Sequence, residues 1–151
     1  MLVNAALKRP SMKKKDVTPA QYRSLAEFRY RIREFLHFSE SAARAAGLEP
    51  RQQQLLLAVK GFAAGGDGPA IGYLAERLQI RHHSAVELVD RMEERGMVRR
   101  RTGEKDRRRV LVALTTAGED LLKDLAVQHI AELRQMGPGL VIALQEVLAA
   151  S

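Results

Sequence analysis

From residue 18 onward the apolar positions fall into two alternating periods. Leu25, Phe28, Ile32, Phe35, Leu36 and Ala43 recur at spacings of three and four, which predicts a long amphipathic helix. It opens at Thr18-Pro19-Ala20-Gln21, where Thr18 caps, Pro19 suits the first helical position and Gln21 completes a capping box; Gly47 ends it. Pro50 opens a second helix with Leu55, Leu56, Val59 and Phe62 on its apolar side, and Gly65-Gly66-Asp67-Gly68-Pro69 reads as a loop. A short helix follows, with Ile71, Leu74, Ala75 and Leu78 inward. After the break Gln79-Ile80-Arg81 comes a helix over 82–95, with Ala85, Leu88, Val89 and Met92 inward. Gly96 stands where only glycine takes the left-handed conformation cheaply. Past it the period shortens. Residues 97–101 and 108–114 read as two strands, with Val110, Val112 and Leu114 inward on the second and a polar tip between them. Thr116 and Glu119 form a second capping box for a helix over 117–136, with Leu122, Leu125, Ile130, Leu133 and Met136 apolar. Gly137-Pro138-Gly139 predicts its end, and 140–148 a last short helix.

The chain's 151 residues suffice for one domain with its own core. Cysteine is absent, which excludes disulfides, thiolate metal sites and thiol chemistry. No apolar run approaches the length of a membrane span, and the weak apolar patch at 2–7 precedes its basic residues, the wrong order for a secretory signal. A cytoplasmic location is the expectation. The net charge of +7 is unevenly spread. Residues 1–15 carry +5 and residues 99–109 carry another +5, which leaves −3 for the remaining 125 residues. Basic patches on a mildly acidic body suit a polyanion, because each neutralised phosphate releases condensed counterions. Residues 1–17 read as a flexible basic arm.

Two short helices joined by a tight turn and followed by a two-stranded hairpin describe a helix-turn-helix with a wing. A helix fits the major groove of B-DNA, and the hairpin beside it reaches the adjacent minor groove, where arginine is attracted by the focused negative potential. The basic segment 99–109 falls on that hairpin. The candidate contacts on the reading helix are Arg81, His82, His83, Ser84, Val86, Glu87 and Arg91; on the wing they are Arg101, Lys105, Asp106, Arg107, Arg108 and Arg109. His82 and His83 open the helix, where amide groups and the macrodipole favour anions. Val86 suits a thymine methyl, and Glu87 either a cytosine amino group or an ion pair with Arg91 one turn on. Arg91 suits a phosphate. His129, on the apolar side of its helix, reads as a satisfied interface histidine, with ligand contact or pH sensing as the other role.

Leu74-Ala75-Glu76-Arg77-Leu78, then residues 88–100 from Leu88-Val89-Asp90-Arg91 to Gly96-Met97-Val98-Arg99-Arg100, then Asp106-Arg107-Arg108 and Leu114-Thr115-Thr116-Ala117-Gly118, together resemble the MarR family of bacterial transcriptional regulators. Gly47-Leu48-Glu49-Pro50 is similar to that family's junction between its first two helices. The resemblance runs from about 20 to 148. It implies a mainly α fold with a small β-hairpin wing: a winged helix-turn-helix over 48–116, with 18–47 and 117–149 forming a dimerisation region. It also implies a homodimer on double-stranded DNA at a pseudo-palindromic operator, with Arg108 entering the minor groove, Asp106 orienting it, and release by a small aromatic or phenolic effector. No ligand-contacting residue, metal or cofactor is assigned. The chain departs from the family at Gln79, where a glycine is usual, and at Arg81, His82-His83-Ser84 and Glu87, which bears on operator sequence and not on fold.

No phosphate loop, dinucleotide fingerprint, zinc-protease motif or nucleophile–base arrangement is present, so an enzyme is not expected. Two classes remain: a DNA-binding regulator, most simply a repressor, and a winged-helix interaction module whose basic wing binds an acidic protein partner.

Overall fold

The computed structural model describes residues 16–62 and 67–150. Residues 1–15 of the expected basic arm, and Gly65 and Gly66 of the expected loop, lie outside the described residues. The elements in order are α1 (Pro19–Ala45), α2 (Pro50–Lys60), α3 (Ile71–Leu78), α4 (His82–Glu94), β1 (Val98–Thr102), β2 (Val110–Leu114) and α5 (Thr116–Ala149). Among the described residues the chain is mainly helical with one two-stranded antiparallel hairpin, a winged helix-turn-helix, as expected.

The start of α1 is built as the sequence implies. Thr18 Oγ1 accepts from the Gln21 N–H at 3.2 Å and Gln21 Oε1 from the Thr18 N–H at 2.8 Å. The amide of Gln21 reaches on to donate to the Ala150 carbonyl at 3.3 Å, so the start of α1 meets the end of α5. Gly139, near the middle of this antiparallel pair, lies against the Arg31 guanidinium.

One core unites the elements. Ala43 of α1, Leu48, Leu55, Leu56 and Val59 of the α2 region, Leu74 of α3, Val89 and Met92 of α4, Val98 and Val112 of the hairpin, and Leu122 and Leu125 of α5 form a single buried cluster. At roughly 1.5–3 kcal/mol for each fully buried aliphatic side chain, this cluster is the principal favourable term that holds the winged-helix elements on the first half of α5.

Three expectations need correction. The break at Gly137-Pro138-Gly139 does not occur: α5 runs through it as one 34-residue helix with Pro138 inside. Proline removes one backbone donor and costs about 3 kcal/mol in a helix interior. Beyond it, however, Ala143 is buried and Leu140 half-buried, and the Gln21–Ala150 bond closes the far end. Packing on α1 therefore outweighs the local penalty. On β2, Val110 is exposed while Leu111 and Val112 are both buried. The strand is covered on two sides, because Ala70 bridges to Leu111 and Pro69 accepts from the Val112 N–H at 2.9 Å. Finally, the N-cap of α5 is Thr115, one residue earlier than expected; its hydroxyl accepts from Gly118 N at 3.1 Å and donates to the Gly96 carbonyl at 2.6 Å. Gly118 fixes that register, because a Cβ there would stand 2.1 Å from the Met97 carbonyl oxygen. Glu119 leaves the cap and pairs with Lys60 at 2.8 Å.

Candidate nucleic-acid interface

α3 and α4 are joined by a turn with Gln79 at φ 54 and ψ 44, the left-handed region. Gln79 N donates to Glu76 O at 3.1 Å and Ile80 N to Ala75 O at 3.0 Å, so α3 closes in the manner usually served by glycine. Gln79 carries the conformational cost, partly offset by its side-chain amide donating to Glu76 O at 2.8 Å. The turn aims α4 so that Ala85, Val89 and Met92, one inward stripe, are buried against Leu74 and its neighbours.

The opposite stripe of α4 is left to solvent. Arg81 is the N-cap residue and makes no side-chain cap, and His82, His83, Glu87 and Arg91 are exposed, with Ser84 and Val86 half-buried. Among the described residues Glu87 and Arg91 do not pair, so the intrahelical alternative for Glu87 is not formed here. Ser84, Glu87 and Arg91 line one shallow groove together with Arg51 from the first turn of α2. Arg95, at the C-cap, donates to the Gly47 carbonyl at 2.9 Å and to Gln52 Oε1 at 3.0 Å. That bracket, in which Gln52 is buried, fixes the end of α4 to the α1–α2 junction.

The hairpin divides into a tied base and an open tip. At the base Arg100 pairs with Asp90 and, at 2.9 Å, with Glu93, while its N–H donates to Glu93 at 2.7 Å, so β1 is strapped to α4. Arg101 donates through Nη2 to Asp67 Oδ1 at 2.8 Å and through Nε to the Asp67 carbonyl at 3.0 Å. The second Asp67 oxygen accepts from the Glu104 N–H at 3.1 Å. That N–H, together with the Arg101 guanidinium, holds the Asp67 carboxyl below the usual carboxylate range, against an opposing desolvation. At the tip Lys105, Arg107 and Arg109 are exposed, and among the described residues their side chains have no partner. Asp106 Oδ1 accepts from the Arg108 backbone N–H at 3.0 Å, an Asx turn, and from Arg108 Nε at 3.3 Å. The Arg108 side chain is nonetheless 93% exposed. Asp106 thus shapes the turn that presents Arg108 without burying it.

The structure therefore leaves Arg81, His82, His83, Glu87 and Arg91 exposed on α4, with Ser84 and Val86 half-buried beside them, and gathers Lys105 to Arg109 at one tip. It separates Arg101 from them by engaging it internally. Sequence reasoning did not single out Asp67, Asp90, Glu93 or Arg95 as organisers. Asp67 and Arg101 lie 34 positions apart, and nothing local to either announces the pair. His129 is satisfied: its Nδ1 lies 2.7 Å from the Leu125 carbonyl and its Nε2 2.8 Å from Ser39 Oγ, with Phe35 and Phe38 edge-on. Among the described residues no cluster of His, Cys, Asp or Glu is placed to hold a metal, and no helix is long and apolar enough to cross a membrane.

Comparison with known proteins agrees with this geometry. Residues 46–109 match the model of the MarR family. No curated protein matches the chain. Among solved structures, AbsC, a MarR family transcriptional regulator from Streptomyces coelicolor, is 23% identical with a TM-score of 0.68, over 81% of each chain. CouR from Rhodococcus jostii, solved bound to p-coumaroyl-CoA, is 25% identical with a TM-score of 0.68, over 87% of this chain and 93% of its own. A mutant of S. aureus MepR bound to an oligodeoxyribonucleotide is 22% identical with a TM-score of 0.59, over 83% of this chain and 97% of its own. The winged-helix segment over residues 46–109 is thus similar to that of the MarR family, and most of the chain has the fold of that family's solved regulators.

Proposed function

We propose that this protein is a sequence-specific, DNA-binding transcriptional repressor, without enzymatic activity, that acts as a cytoplasmic homodimer on a pseudo-palindromic operator. The observation that carries the reading is the contrast in how arginine is used. Arg95, Arg100 and Arg101 are bound internally and hold α4 and the hairpin in place, whereas Arg81, Arg91, Arg107, Arg108 and Arg109 face solvent on the two elements this arrangement positions. In this reading the start of α4, with His82, His83, Ser84, Val86 and Glu87, meets base edges in the major groove. Arg108 enters the flanking minor groove, and Lys105, Arg107 and Arg109 neutralise phosphates.

The homodimer is supported by apolar side chains left exposed along α1 and α5, among them Leu25, Tyr30, Val127, Ile130, Val141 and Ile142. A two-fold pair built on those helices presents two copies of α4 to half-sites about one helical turn apart. A small aromatic or phenolic effector that releases the DNA completes the reading; the complex of the similar protein CouR with p-coumaroyl-CoA is in keeping with it.

A gel-shift titration on the upstream region of the gene itself, with random duplex as competitor and salt varied, tests the proposal. Binding that survives excess random DNA and weakens steeply with salt is expected. Equal affinity for both duplexes would contradict it and would favour an acidic protein partner for the wing.

A further inference from the structure

We infer that Asp67 is the positioning residue of the wing: its carboxylate and carbonyl hold Arg101 in an internal latch, and Arg101 sets the reach of the hairpin instead of touching DNA. The inference rests on the DNA-binding reading above and refines it by removing one basic residue from the contact surface.

The latch follows from what is spent on it. Two of the three nitrogens of the Arg101 guanidinium donate to Asp67, one to the side chain and one to the backbone, a fork geometry that fixes the direction of a side chain left 37% exposed and turns two of its five N–H donors inward. The Asp67 side chain is only 18% exposed. Its second oxygen is used as well, on the N–H of Glu104 just beyond β1, so a single carboxylate grips both the strand and the start of the tip. The loop that carries Asp67 is itself seated on β2. Gly68, at φ +101, approaches the strand so closely that a Cβ would lie 2.2 Å from the Val112 carbonyl oxygen. The next residue, Pro69, accepts from Val112 N at 2.9 Å, and Ala70 bridges to Leu111. The loop thus binds β2 through its backbone and β1 through Asp67. Loss of the Asp67 contacts leaves the hairpin attached through β2 and, at its base, through Arg100 on α4, and frees the far end of β1, with the tip arginines, to swing. The depressed carboxyl keeps Asp67 ionised throughout the neutral range, so the latch is permanent there and is not a pH switch.

The two roles for Arg101 give opposite patterns in a double-mutant cycle. Anisotropy titrations on a selected operator duplex would compare wild type, Asp67→Ala, Arg101→Ala and the double variant at several salt concentrations, with Arg108→Ala as reference. The latch predicts that each single variant weakens binding by about tenfold, the loss expected for a charge-assisted pair. The double variant is no weaker than either single, and Asp67→Ala, Arg101→Ala and the double variant share one salt slope, lowered from wild type as the tip contacts loosen, as Arg108→Ala also lowers it. Hydroxyl-radical footprints should lose protection in the flanking minor groove and keep it around the α4 contacts. In the free protein, amide exchange at Glu104 should quicken in both single variants. Asp67→Asn, which keeps the shape and the acceptor for Glu104 but loses the charge, should fall between wild type and Asp67→Ala. An Asp67→Ala protein with unchanged affinity beside an Arg101→Ala protein with weakened binding and a shallower salt slope would overturn the latch and make Arg101 a phosphate contact. Additive losses would also overturn it. If Arg108→Ala weakens binding while the latch variants do not, the DNA-binding reading stands and this inference alone fails; a wild-type protein that selects no duplex removes both.

Discussion

Between Leu48 and Val112 the large apolar side chains face inward, with Leu57 and Val110 as the exposed exceptions, and arginines cross-brace the surface from α1 to the hairpin. Along α1 and α5 the disposition is reversed. Tyr22, Leu25, Tyr30, Leu36, Val127, Ile130, Leu133, Val141, Ile142, Leu144 and Leu148 are all exposed, on two long helices that already pack against each other. The first region satisfies its own burial and spends charge on geometry. The second leaves large apolar side chains exposed along both helices, the kind of surface that marks interaction sites when it is contiguous. In the function proposed above the difference corresponds to separate tasks: one region positions a reading surface, and the other receives a second copy that duplicates it.

The contrast can be broken most forcefully in the helix pair. Ile130→Glu and Val141→Glu place a charge on exposed apolar positions, where the monomer tolerates it and a dimer does not. Sedimentation at micromolar concentration should show dimers for wild type and monomers for these variants. Operator affinity should fall by about 10²–10⁴-fold, the avidity lost when two half-sites are no longer linked. In the winged-helix region the matching lesion is internal. Met92→Ala, at a fully buried position, should cost about 2–5 kcal/mol in denaturant unfolding while leaving the dimer contacts in place. Next comes the wing tip. Arg108→Ala should weaken operator binding by about 1–3 kcal/mol with no change in thermal stability or oligomeric state, since among the described residues its side chain is held by Asp106 alone. The smallest effect is a gain: Gln79→Gly should stabilise the fold by about 0.5–1 kcal/mol, because it relieves a left-handed residue at the α3–α4 turn.

Much of this division was legible in the sequence, for physical reasons that differ by element. The α4 stripe of Ala85, Val89 and Met92, the Thr18–Gln21 capping box and the left-handed Gly96 all depend on residues within one or two turns of each other, and all stand as expected. Errors arose where distant chain decides. Pro138 reads locally as a stop, yet α1 supplies the packing that carries α5 through it. Thr115 and Thr116 are equivalent caps until Gly118 meets Met97 across the junction. Charge counting over 99–109 located the wing, but it could not separate Arg100 and Arg101, neutralised by Asp90, Glu93 and Asp67, from the open cluster at Lys105 to Arg109.

The account stands most directly on the geometry of the assembled pair, and selection of binding sites from a pool of random duplexes reads that geometry without presupposing an operator. It predicts an enriched inverted repeat whose half-sites are centred about one helical turn apart, flanked by narrow-groove, A·T-rich steps where Arg108 enters. A pool that emerges unenriched, or enriched in a single unrepeated site, would contradict it.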